Sequence, residues 1–316
     1  MTITRTDERS GTSSMRRRAR RPADTTERGI VSVTDWQRPS VRRWMRIIQT
    51  AVLIGLVIVG LGPLLWLAKS AVTPAQDTLR YPLDVWPHGF HLSILTTAWT
   101  QQHLGKYFLN TVVIAAGSWF SQLFIAATGG YALSVLRPRF GSWITALVVG
   151  TLLVPSVVLL VPLYLTVLKL PLVHVSLLNQ FWAVWLPAGA NPFNLLLCKR
   201  FFDNLPREVF EAARVDGAGP MRLFWSIVLP MSRPILGVVS VFAILSAWKD
   251  FLWPLLVLPD PDRQPLSVRL PTLSQTISLD SLIASLFIST IIPVVLFLLF
   301  QKTFLRSAGL GGAVKG

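Results

Sequence analysis

Few side chains in this chain have the type and spacing that chemistry needs. There is one cysteine, Cys198, so an intrachain disulfide and Cys-based zinc or iron–sulfur sites are excluded. Among the four histidines only His88 and His91 are close in sequence, with Asp84 the one carboxylate nearby, and no metal site is expected of so small a ligand set. The phosphate-cradling pattern G-x-x-x-x-G-K-[ST] is absent; the terminal GLGGAVKG holds Gly and Lys at the wrong spacing. No Ser/His/Asp or paired-carboxylate set falls together either, so no catalytic residue is assigned and no cofactor is expected on this chain. Two features remain. Lys249 and Asp250 stand inside the apolar run SAWKDFLWPL, and the segment 199–233 carries Glu208, Glu211 and Asp216 in an ordered pattern.

The elements that would position these residues follow from hydropathy. Hydrophobic residues make up 52% of the 316, charged residues 14%, and the mean hydropathy is +0.54. Soluble domains carry about 25% charged residues, so an ordinary soluble globule is excluded. Apolar stretches close to the roughly 20 residues a membrane helix needs predict six spans, at residues 47–68, 111–136, 144–168, 178–197, 235–258 and 282–304. The expected fold is all-α and polytopic. Prolines within the third to fifth spans predict kinks, which either help the bundle pack or bend helices around a pathway.

Charge sets the orientation. The chain holds 30 Lys and Arg against 15 Asp and Glu. With the N-terminus cytoplasmic, inside segments hold 23 basic residues and outside segments 6; without the N-terminal tail the ratio is 11 to 6. The positive-inside rule therefore places both termini in the cytoplasm. Basic residues used for topology, with no aromatic-interleaved patch, argue against nucleic acid as a partner. Residues 1–43 are rich in Arg, Thr and Ser and cannot bury a core, so a disordered tail is expected, with RRRARR at 16–21 near anionic membrane lipid. Residues 44–316 read as one membrane domain.

The segment 199–233 is long for a loop and has its own pattern. Pro206 can open a helix, with Glu208 and Glu211 near the positive end of its dipole. Val209, Phe210 and Ala213 form an apolar face at helical spacing. Asp216-Gly217-Ala218-Gly219-Pro220 forces a turn. Met221, Leu223, Phe224, Ile227 and Val228 then supply a second amphipathic piece. From the residues alone, this helix–turn–helix either lies on lipid or offers anchors to a partner, with the small Ala212 and Ala213 admitting close approach of another backbone.

Glu211-Ala212-Ala213, Gly217, and Ile227-x-Leu229-Pro230 resemble the EAA loop of ABC-importer permeases at every fixed position. DNLPREVFEAARVDGA, Asn110-Thr111 at the second span, Gly130-Tyr131-Ala132-Leu133 near its end, and the terminal Gly312–Gly316 stretch extend the resemblance to the carbohydrate-uptake permeases of maltose-transporter (MalG-like) type. It covers roughly residues 44–316 and implies a MetI-like fold with a cytoplasmic coupling helix. It further implies a second permease subunit as heterodimer partner, two cytoplasmic ATPase subunits that carry ATP and Mg, and an extracytoplasmic solute-binding protein that delivers a sugar or oligosaccharide. Glu208, Glu211, Ala212, Ala213, Asp216, Gly217, Ile227, Leu229 and Pro230 would couple to the ATPase, with Lys315 and Gly316 as further contacts.

The family's Trp-Asn-Asp is here Trp248-Lys249-Asp250, and these three are the candidate solute-pathway residues. Charges at a helix centre cost about 2.5–3.5 kcal/mol each on the insertion scale, so they face a bundle interior or a wet cavity. Two readings of Lys249 stay open: it lines the path and favours an anionic or polyhydroxylated solute, or it snorkels or pairs with a carboxylate of the second permease. Trp248 and Trp253 stack on sugar faces or pack on neighbouring helices. A glycerol-phosphate-type permease is the runner-up, and an ion-coupled secondary transporter, which usually has more spans and inverted repeats, is a more distant alternative.

Overall fold

The computed structural model describes residues 39–309 apart from 85, 88 and 172. Among the described residues there is no strand. The chain divides into two compact units, Met1–Gly62 and Pro63–Gly316.

Helix α1 (Pro39–Ser70) opens on a proline, whose fixed φ suits the first helical position. Residues 39–43, assigned by composition to the tail, are therefore helical; the rest of the expected tail lies outside the described residues. Val41–Ser70 is long and apolar enough to cross a membrane. Its side chains from Ile47 to Leu61 are exposed, a surface suited to lipid.

The second unit has further helices: α2 (Leu92–Gln101), α3 (Leu104–Tyr131), α4 (Gly141–Thr151), α5 (Leu160–Leu168), α6 (Trp182–Gly189), α7 (Pro192–Asp203), α8 (Arg207–Val215), α9 (Arg233–Lys249), α10 (Leu252–Val257), α11 (Leu266–Leu273) and α12 (Leu279–Gly309). Its centre is α3, which starts before the expected Thr111, continues through a π turn over Ala132–Leu136, and packs on α6, α7 and α9. Small residues allow this. A Cβ on Gly117 would meet Trp185 of α6 at 2.1 Å, and one on Gly130 would meet the Cys198 Cβ and the Lys199 backbone N of α7 at 3.0 Å. Three buried clusters follow α3 along its length: Leu104 and Tyr107 with Leu266 and Leu270; Ile114 with Val184, Trp253 and Val257; Tyr131 with Phe202, Phe210 and Phe224.

Three of the expected spans are broken rather than kinked. Residues 144–168, read from hydropathy as one span, hold α4 and, from Ser156, a second helical piece ending in α5, bent by 102°. Pro155 cannot donate a backbone hydrogen bond and bars helical geometry at Val154. Residues 178–197 hold α6 and α7, separated at Ala190 and Asn191. There the Asn191 side chain accepts the backbone N–H of Asn194 at 3.0 Å and Pro192 fills the first helical position, so a new helix starts. Residues 235–258 hold α9 and α10; α9 stops at Lys249 because Asp250 is extended, with ψ 123°. The first and last expected spans fall within the continuous helices α1 and α12.

Candidate functional site

The 199–233 segment folds as a rooted surface helix. Glu208 lies in the first turn of α8, where the dipole favours it. Gly217 has φ +78°, the left-handed conformation that ends a helix at least strain with glycine. Around it the Gly217 N–H donates to the Arg214 carbonyl at 3.0 Å and the Ala218 N–H to the Ala213 carbonyl at 2.9 Å. These two bonds define a Schellman stop. Phe210 and Ala213 are buried against Phe202, Leu223 and Phe224. Glu208, Glu211, Ala212, Asp216 and Gly217 are exposed. The sequence reading is corrected in two places: Ala213 packs inward, leaving Ala212 alone for close approach, and Val209 turns outward from the apolar face.

Beyond the turn, Pro220–Leu223 is helical and Phe224–Val228 is a π turn rather than a plain helix. Pro230, exposed, cannot bond the Ser226 carbonyl, and the widened turn precedes it. Ile227 and Leu229 are half-buried beside the cluster.

Tyr131 ties this loop to α3. Its Oη donates to the Pro220 carbonyl at 2.7 Å, and its ring lies 5.0 Å from that of Phe224. Asp203, at the end of α7, accepts from Ser134 Oγ and from Lys199 Nζ, at 2.7 and 2.8 Å. Burial pushes the Asp203 carboxyl up, but these two hydrogen bonds and the charges of Lys199 and Arg137 outweigh it and hold the group below its ordinary value. Sequence reasoning assigned no role to Tyr131 or Asp203; each appeared only inside a stretch that carries the resemblance, Gly130-Tyr131-Ala132-Leu133 and DNLPREVFEAARVDGA.

A cavity of about 760 Å³ opens higher on α3. Its polar wall is Ser118, Gln122, Asn191, Ser246, Lys249 and Asp250. All three helix breaks border it: Ser156 after the first, Asn191 at the second, Asp250 at the third. Gln122 accepts from the Asn194 side chain at 2.8 Å, while the buried Ser118 hydroxyl and the Asn194 carbonyl oxygen have no partner. Lys249 reaches the cavity from the last turn of α9. Trp248 is buried against Phe108, rings 6.0 Å apart, and is not part of the wall. Trp253 touches the cavity with its Nε1 bound to the Ala183 carbonyl at 3.0 Å. Ser118 and Gln122, four apart in an apolar run, were the missed signal. Lys315, Gly316 and His88 lie outside the described residues.

On the opposite end, Asn110 Nδ2 donates to the carbonyls of Asp262 and Gln264 at 2.9 and 3.0 Å. Thr111 Oγ1 accepts the Leu266 N–H at 2.9 Å. The Asn110-Thr111 pair thus staples the loop after α10 to α3.

A helical membrane chain with broken spans around a cavity has the build of a transport permease. The family model described as "Binding-protein-dependent transport system inner membrane component" matches residues 124–307, and the chain belongs to that family, one of permease components rather than catalysts. The arabinooligosaccharides transport system permease protein AraQ of Halalkalibacterium halodurans is 32% identical over 84% of this chain and 90% of its own length. The diacetylchitobiose uptake system permease protein NgcG of Streptomyces coelicolor is 30% identical over 86% and 90%. A bacterial ABC transporter involved in the import of the acidic polysaccharide alginate has a chain of the same fold, with TM-score 0.73 and 19% identity over 87% of this chain and 99% of that one. The chain is an ABC-importer permease of the inner membrane.

Proposed function

We propose that this chain forms half of the translocation pathway for a sugar or oligosaccharide, beside a second permease subunit, with two cytoplasmic ATPases and an extracytoplasmic binding protein. The names of AraQ and NgcG support the substrate class. The basic residues of the inside segments support cytoplasmic termini. ATP and Mg belong to the ATPase subunits, and Lys315 and Gly316 remain proposed contacts with them.

The observation that carries the reading is the convergence of three helix breaks on one cavity. Interrupted backbone at membrane depth survives only where it is buried in protein or lines a wet cavity. The same helix, α3, borders that cavity at Ser118 and Gln122 and holds the coupling loop at Tyr131. Tyr131 follows Gln122 by nine residues, about 14 Å along a helix. A push on the exposed face of α8, at Glu208, Glu211, Ala212 and Asp216, passes through Phe210 and Ala213 to Phe224 and Tyr131, and so into α3. Glu211 offers charge-assisted hydrogen bonds to a partner, and the Schellman stop at Gly217 keeps α8 from fraying under load.

The test is to tag the chain, extract it gently from its native cell and identify what co-purifies. A second permease and a Walker-motif ATPase, in a one-to-one-to-two ratio, is the expected result. A chain that purifies alone and moves solute in vesicles without ATP would overturn the reading.

A further inference from the structure

Lys249 is an exposed charged group that lines a membrane cavity. Among the described residues it makes no ion pair and no hydrogen bond, although its side chain lines the cavity. Its neighbour Asp250 lines the same cavity but makes no ion pair with it. The extended backbone at 250 takes that residue out of α9. The Asp250 carbonyl is engaged, accepting from Ser267 Oγ at 2.6 Å.

The rest of the wall is made for hydroxyl groups. Ser118, 1% exposed, has a hydroxyl with no partner. Gln122 sits one turn further along α3, Ser246 one turn before Lys249 on α9, and Asn191 at the break between α6 and α7. The apolar remainder, including Leu160, Leu163 and Trp253, can cover the C–H faces of a sugar ring. An ammonium lining such a cavity can make charge-assisted hydrogen bonds to a ligand of opposite charge.

We propose that this cavity passes carbohydrate bearing a fixed negative charge, a carboxylate or a phosphate, and that Lys249 reads that charge while Ser118, Gln122, Asn191 and Ser246 read the hydroxyls. The proposal rests on the importer reading above and narrows its substrate class. A charge-assisted hydrogen bond is worth about a factor of ten or more, so charged and neutral sugars separate by about that ratio at this step.

The experiment uses the complete importer in liposomes, with ATP supplied to the ATPases. The probes are labelled disaccharides in matched triplets: a neutral disaccharide, its uronic acid form and its 6-phosphate, each at a concentration that saturates the binding protein. One anionic form is expected to enter at least about tenfold faster than the neutral one, and the better of the two tells carboxylate from phosphate. Lys249→Gln should abolish that preference, and Lys249→Arg should preserve it. Equal or faster uptake of the neutral sugar, with a ratio unaltered by Lys249→Gln, overturns the proposal. So does an equal loss of all uptake in Lys249→Gln together with loss of the second permease on purification, which would make Lys249 a structural ion pair between subunits. If the partners co-purify but no sugar enters, the carbohydrate class falls and the proposal falls with it; if no partners co-purify, the importer reading itself has failed.

Discussion

Gly217 gives the sharpest test of how the loop transmits force. Its φ of +78° lies where an L-residue is strained, yet no heavy atom stands within 4 Å of a Cβ built there. The penalty for Gly217→Val is therefore a backbone penalty alone, roughly 1–2 kcal/mol, and the buried cluster under α8 is untouched. An energy of that size shifts a conformational ratio by about 5- to 30-fold. When the turn leaves the left-handed region, the two hydrogen bonds that close α8, from Gly217 and Ala218, are lost together. Membrane insertion, measured by immunoblot of the membrane fraction, should stay normal. Uptake by the reconstituted importer should fall about 5- to 30-fold, and ATP hydrolysis should lose its dependence on loaded binding protein. Gly217→Asn, whose side chain tolerates the left-handed region, should keep most of the transport. Normal uptake in Gly217→Val would refute the argument from backbone strain. Equal failure of Asn and Val would replace it with a steric contact against the partner.

Other outcomes follow from the same geometry. Gly130→Ala places a methyl 3.0 Å from the Cys198 Cβ and the Lys199 backbone N; with backbone unable to give way, a loss of about 1–3 kcal/mol of stability should show as a lower melting temperature in detergent. Tyr131→Phe deletes the hydroxyl that donates to Pro220 and should lower stability by only about 0.5–1.5 kcal/mol, while transport falls more steeply than stability; a change in melting alone would argue against Tyr131 as a link in the force path. The Asp203 carboxyl is held low by its partners, so its stabilisation is present above the ordinary carboxylate range and is lost as pH falls through the lowered folded value. Thermal unfolding of the wild type against pH should therefore show an acid-side loss that Asp203→Asn diminishes.

The helix–turn–helix of residues 199–233 was legible because its signal lies in residue identity at fixed spacing: Glu211, Gly217 and Pro230 would each be odd choices for an apolar run. Its inward and outward faces were less so. Ala212 and Ala213 are adjacent on a helix and cannot share a face, and only the packing of Phe210 decides which one turns in. The breaks were harder still. Proline alone does not mark them: Pro63, Pro187 and Pro293 all stay inside helices. Pro155 and Pro192 coincide with breaks, and at the second the Asn191 side chain supplies a cap for the new helix. Asp250 ends α9 with no proline between Lys249 and Pro254. Hydropathy averages over such local events, so it registers an apolar length and misses the place where the backbone turns aside.

The arrangement around α3 bears on how such a protein can change over generations. One helix holds the loop after α10 through Asn110 and Thr111, borders the cavity, and grips the coupling loop through Tyr131. A substitution there disturbs several duties at once, and glycines such as Gly117 and Gly130 leave no slack for drift. Other cavity residues sit beside interruptions, at Ser156, Asn191, Lys249 and Asp250, off the packed faces of α3. On the proposed function, selectivity is thereby separated from machinery: a lineage can retune what it imports at the broken ends while inheriting α3 intact.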